Sequence, residues 1–290
     1  MRSVADQSTS ELGGRLSVLV RQRNDHAELE SLLTRLAASS HHEQLPILLD
    51  LYRLVFPHAF AEESVLWPLM RRVLPDGHAL TLQVEQEHQE VNELVTRLER
   101  LEPGTTERDT ALERLVEVLR EDVRDEEDEL FPRLQERVSS RRLRMLGMAW
   151  EVVRRVAPTR AHPIVARRPP GNVIAALPLS VLDRSRDRLD AFRLRRDPGK
   201  GALHALSTGL TVVSHAVERG PLMRRGEDTS TSRGNDAKPV WVVVAASLVA
   251  VGVVAAFLIR RRRALSTARH DPETNEVPSA CDDGSLRWGG

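Results

Sequence analysis

Apolar positions recur at three- and four-residue spacing through most of the first half of the chain. Leu29, Leu32, Leu33 and Leu36 form one such stripe, and Leu94, Val95, Leu98 and Leu101 form another. This is the mark of helices with one face packed inward. Stretches of this kind cover roughly residues 12–38, 43–74, 78–101 and 106–138, and a further helix follows at about 139–156. The breaks between them, Ser39-Ser40, Pro75-Asp76-Gly77 and Glu102-Pro103-Gly104, are short. Four amphipathic helices on short connections predict an all-α fold, an up-down-up-down four-helix bundle with an extra helix, over residues 12–157. Pro57, Pro68 and Pro132 are expected to set kinks and helix ends.

The pattern changes after residue 157. Residues 158–239 read as a basic linker region, broken by Pro158, Pro163, Pro169, Pro170 and Gly171. Two stretches within it, 173–195 and 202–218, are candidate amphipathic helices, able to lie on an anionic membrane surface or to stand as solvated linker helices. Residues 240–259 then run for 20 positions without a charge, flanked by Trp241 and by Arg260 to Arg263. That length spans about 30 Å as a helix and predicts a transmembrane segment. Residues 260–290 form a short polar tail. Residues 1–10 are polar and do not read as a secretion signal. The expected location is therefore a membrane, crossed once, with the bundle on the cytoplasmic side and lipid as a partner.

Composition narrows the chemistry. Aromatic residues make up 3% of the 290 positions, which favours a core of Leu, Val and Ala in helices over a β-sandwich. Cys281 is the single cysteine, so an internal disulfide framework and a Cys-based metal site are both excluded. The formal charge is zero, yet residues 1–157 carry eight more acidic than basic side chains and residues 158–290 the reverse. The acidic front argues against a nucleic-acid partner.

The bundle region repeats itself. NDHAELESLLTRL from Asn24 aligns with QEHQEVNELVTRL from Gln86, so that His26 falls on His88. HAFAEESVLWP from His58 aligns with DVRDEEDELFP from Asp122, so that Glu62 falls on Glu126 and Trp67 on Phe131. His58 and Glu62 are four residues apart, point off one helix face and can reach one ion. Imidazole nitrogen with carboxylate oxygen suits iron, manganese or zinc. Burying these groups among apolar helix faces without a cation would cost several kcal/mol. Other polar groups read as solvated: His41, His42 and His78 as caps, Glu30 as an exposed side chain. His162, His204, His215 and His270 lack partners at ligand spacing.

The order of these histidines and carboxylates, with EExxLWP and EExxLFP after the two pairs, resembles the hemerythrin-like, or HHE cation-binding, domain. The resemblance covers about residues 12–140 and implies a four-helix bundle holding a non-haem di-iron centre. It implies that His26 and His58 bind one iron and His88 the other, with Glu62 and Glu126 bridging. Where the family has a histidine four residues before Glu126, this chain has Asp122, a carboxylate able to substitute as a ligand. Where some members carry a ligand four residues after His88, this chain has Asn92. The resemblance further implies one or two irons that bind or sense dioxygen, peroxide or nitric oxide, or store iron. An enzyme reducing peroxide or nitric oxide and a metal-free interaction module are the alternatives.

Overall fold

The computed structural model describes residues 1–168, 171–196 and 202–223. Among them the ordered elements are all helical: α1 (Val18–Ala37), α2 (Gln44–Ala61), α3 (Trp67–Val73), α4 (Gly77–Leu98), α5 (Thr106–Asp125), α6 (Phe131–Arg137), α7 (Ser140–Val156), α8 (Gly171–Arg196) and α9 (Ala202–Glu218). Two π-helical turns, Glu62–Leu66 and Glu126–Leu130, join α2 to α3 and α5 to α6. The first helix starts later than the apolar pattern suggests. Gly13 and Gly14 take positive φ angles of 92° and 96° and turn the chain. Ser17 then caps α1 by accepting the Leu19 N–H at 3.3 Å.

Both π turns have a local cause. Pro68 and Pro132 lack the N–H that would close the regular ladder at that point. The preceding residues reach one position further back, Trp67 N–H to the Glu62 carbonyl and Phe131 N–H to the Glu126 carbonyl. A π turn widens the helix at the carboxylate pairs Glu62-Glu63 and Glu126-Glu127, a placement typical of functional sites.

Two apolar clusters fill the bundle. One gathers Leu12, Leu19, Trp67, Met70, Phe131, Leu134 and Trp150, and the other Leu29, Leu33, Leu51, Val95, Leu115 and Leu119. The inward-facing polar residues of α1, α2, α4 and α5 fall between the two in every helix. α7 closes over the first cluster, with Trp150 1% exposed. The leucine stripe Leu29, Leu32, Leu33 and Leu36 is buried throughout.

The expected transmembrane architecture is corrected here. Residues 240–259 lie outside the described residues, and among the described residues no helix is long and apolar enough to cross a membrane. α8 has the length, at 26 residues, but carries Asp183, Arg184, Arg186, Asp187, Arg188 and Asp190 along it. α9 has 17 residues, short of the roughly 20 that the hydrocarbon core requires. The single-pass membrane location and the lipid partner inferred from it are given up with that element.

α8 and α9 pack on each other around Leu179, Leu182, Leu210 and Val217. Residues just before α8 fasten this pair to the bundle. The His162 N–H donates to Asn92 Oδ1 at 2.8 Å, and Arg168 pairs with Glu85 at 2.7 Å. His162 is buried between two carboxylates, Nε2 on Asp183 and Nδ1 on Glu218, each at 2.9 Å. Burial works against a charged ring, but Asp183 and Glu218 outweigh it and lift the pKa to about 10. A raised pKa stabilises the fold fully below the unfolded value of about 6.5 and ceases to do so as pH passes about 10. The wild-type protein is therefore expected to melt higher than a His162→Gln variant at pH 6, and the gap should close by pH 10. A gap independent of pH would show that the ion triad contributes nothing.

Candidate metal centre

The repeat brings its polar residues to one place. His26 comes from α1, His58 from the end of α2, Glu62 from the first π turn, His88 from α4, Asp122 from α5 and Glu126 from the second π turn. All six are buried, with Glu62 and Glu126 at 0% exposure. Their donor atoms fall into two groups, His26 with His58, Glu62 and Glu126, and His88 with Asp122 and Glu126. Within each group all ligand atoms lie within 4.8 Å of one another.

The spacing has the scale of a coordination sphere. His58 Nε2 is 3.0 Å from Glu62 Oε1, His26 Nε2 is 3.2 Å from Glu126 Oε2, and the two Nε2 atoms are 3.3 Å apart. His88 Nε2 is 3.6 Å from both Glu62 Oε2 and Asp122 Oδ1. Ligands about 2.0–2.2 Å from one ion, at right or tetrahedral angles, stand roughly 3.0–3.5 Å from each other. Glu62 thus faces both groups, one oxygen toward each. Its Oε1 also accepts a hydrogen bond from Gln22 at 2.6 Å.

Several of these atoms have no hydrogen-bond partner among the described residues: Glu62 Oε2, His88 Nε2, Asp122 Oδ1 and both oxygens of Glu126. Glu126 lies near His26 but off the line that a hydrogen bond requires. Buried carboxylate oxygens left this way are costly. Seven carboxylates (Glu62, Glu126, Asp122, Asp25, Glu63, Glu87 and Glu127) surround three imidazoles. A cation bound by the convergent atoms offsets the orphaned lone pairs.

Titration reflects the same crowding. Burial opposes charge on the imidazoles, but the facing carboxylates win: Glu126 and Glu127 lift His26 to about 9, and Asp122 and Glu63 lift His88 to about 10. Glu62 and Asp25 raise His58 well above the usual range. Burial, with the Glu62 charge added, pushes Glu126 up to about 7. Burial and Glu126 raise Asp122 well above the usual carboxylate range. Glu62 is held down against its burial by His58.

Repeat-related aromatics wall the site. Trp67 stacks on His88 with ring centroids 6.5 Å apart, and Phe131, its counterpart, stacks on His26 at 6.2 Å. Trp150 of α7 meets His58 edge-on at 5.6 Å. A cavity of about 20 Å³ opens against the donor atoms, with Leu29, Phe56, Val91, Asn92, Leu119 and Val123 in its lining. Such a volume holds about one water-sized molecule.

His41, His42 and His78 are exposed, and Glu30 pairs with Arg120 at the surface. Asn92 faces the cavity, its side chain taken by the His88 carbonyl at 2.8 Å and the His162 N–H. Asp25, Glu63, Glu87 and Glu127 are the residues that sequence reasoning passed over. The signal was present, since Asp25 aligns with Glu87 and Glu63 with Glu127 in the repeat.

Residues 18–134 match the family model described as the hemerythrin HHE cation binding domain. An uncharacterized hemerythrin-like protein of Schizosaccharomyces pombe is 25% identical over 136 residues, which cover 47% of this chain and 67% of that protein. A DNA nickase of a Nostoc species is 28% identical over 119 residues, 41% of this chain and 33% of that protein. No solved structure matches the chain.

Proposed function

We propose that residues 18–134, which match the hemerythrin HHE cation binding domain, hold a non-haem iron centre that binds or senses a small oxidant or stores iron. The observation that carries this reading is the convergence of orphaned nitrogen and carboxylate atoms from four helical segments. In this reading His26, His58, Glu62 and Glu126 hold one iron, and His88 and Asp122 hold a second with Glu126 shared. Glu62, with one oxygen toward each group, would reach both. A nitrogen and oxygen donor set without thiolate suits iron, and softer metals less well. When bound, iron supplies an open coordination position for dioxygen, nitric oxide or peroxide.

The remaining work belongs to the chain. Leu29, Phe56, Val91, Leu119 and Val123 keep bulk water from the donors, and the cavity beside them admits a diatomic or peroxide but no organic substrate. Trp67 and Phe131 hold the imidazole rings of His88 and His26 in plane.

Loading the chain anaerobically with iron(II) tests this reading. Expected are one to two irons per chain, one for each donor group, and stoichiometric uptake of nitric oxide with a new visible absorption. Protein that takes up no iron would end the proposal. Sustained consumption of nitric oxide or peroxide would replace it by an enzyme.

A further inference from the structure

Only one nitrogen of each histidine faces the donor groups. The other, Nδ1, is taken by a carboxylate outside them in every case: Glu127 on His26 at 2.9 Å, Asp25 on His58 at 3.1 Å and Glu63 on His88 at 3.0 Å. These contacts obey the internal duplication. Glu63 and Glu127 are counterparts, and each reaches from the π turn of one half to the histidine on the first helix of the other half. Asp25 and Glu87 are counterparts too. Asp25 holds His58 at 3.1 Å, and in the second half Asp122 stands where His58 stands in the first.

At each π turn neighbours in sequence both face the centre, as Asp25 and His26 do on α1. Here Glu62 faces the donor groups and Glu63 the back of an imidazole, with Glu126 and Glu127 arranged alike. The outer carboxylates are in turn fixed by chain beyond the four repeated helices. Ser3 Oγ and Val4 N–H donate to the Glu127 carbonyl at 3.4 and 2.9 Å. Arg154 holds Asp25 at 2.8 Å, and the Arg167 guanidinium stands 3.9 Å from Glu63.

We propose that Asp25, Glu63 and Glu127 are positioning residues that fix the tautomer and ring plane of His58, His88 and His26. An Nδ1–H donated outward leaves the Nε2 lone pair aimed inward, the one neutral form that can bind a cation there. The inference rests on the metal-centre reading and adds the division of labour: each outer carboxylate serves one donor group.

Cobalt(II) titration of the full chain is the test, because its visible bands report the ligand geometry. Glu127→Leu is expected to weaken binding at the His26–His58 group, and Glu63→Leu at the His88 group, each by roughly 10- to 100-fold with altered bands. Glu127→Gln and Glu63→Gln keep the accepting oxygen and should recover most of the affinity and the wild-type spectrum. Should the leucine variants not fold, Glu63→Asp decides instead: it keeps the charge but withdraws it by one methylene, and should lose more affinity than Glu63→Gln. The reverse order, or leucine variants with wild-type affinity and bands, would overturn this inference alone. A wild-type chain that binds no cobalt would overturn the metal centre with it.

Discussion

A Glu62→Gln variant is expected to lose iron binding by more than about 100-fold while its metal-free form melts within a few degrees of wild type. Outer partners of a metal site are typically worth 10- to 100-fold, and a residue that faces both donor groups should exceed that. The glutamine keeps the shape and the Gln22 hydrogen bond at Oε1, so the packing around it has no reason to fail. What goes is the charge that His58 and His88 face at 3.0 and 3.6 Å. With iron at about a thousand times its dissociation constant, the wild-type chain should gain roughly 4 kcal/mol, or about 8–16 °C in Tm. The variant should gain little. Equal iron-induced shifts in both proteins would mean that Glu62 is not a ligand.

Asp122→His should act in the opposite direction. The first donor group has two imidazoles and the second has one, with Asp122 in the corresponding place. Asp122 is also held in a poor environment, its carboxyl raised by burial and by the Glu126 charge. An imidazole there removes that repulsion and gives the second group the imidazole that the first has at His58. Iron titrations of wild type are expected to show one tight and one weaker event, separated by at least about 10-fold. The variant should bind both irons tightly, and its metal-free form should melt higher. Unchanged weak binding at the second group would show that Asp122 is not what limits it.

Much of the bundle could be read from apolar spacing because its helices are amphipathic and its loops short. The stripe from Leu29 to Leu36 is buried, and the helix breaks fall at the serine, proline and glycine clusters that marked them. The start of α1 was misplaced because two glycines in left-handed conformation interrupt a stretch whose apolar pattern continues through them. The inner histidines and carboxylates were legible through the repeat. The outer carboxylates share the repeat, Glu63 with Glu127 and Asp25 with Glu87, but the histidines that Glu63, Asp25 and Glu127 reach lie 25 to 101 residues away on other helices, beyond any helical spacing. His162 looked unpartnered because its carboxylates lie 21 and 56 residues further along the chain, beyond any helical spacing. The apolar run at 240–259 drew a membrane reading from hydropathy alone; no described helix supports it.

Anomalous diffraction from iron-loaded crystals, collected on either side of the iron absorption edge, addresses the centre itself. The strongest peak should fall among His26 Nε2, His58 Nε2, Glu62 and Glu126, with a second, weaker one beside His88 and Asp122. Iron found only on the acidic surface, or no anomalous peak in crystals shown to contain iron-treated protein, would contradict the account.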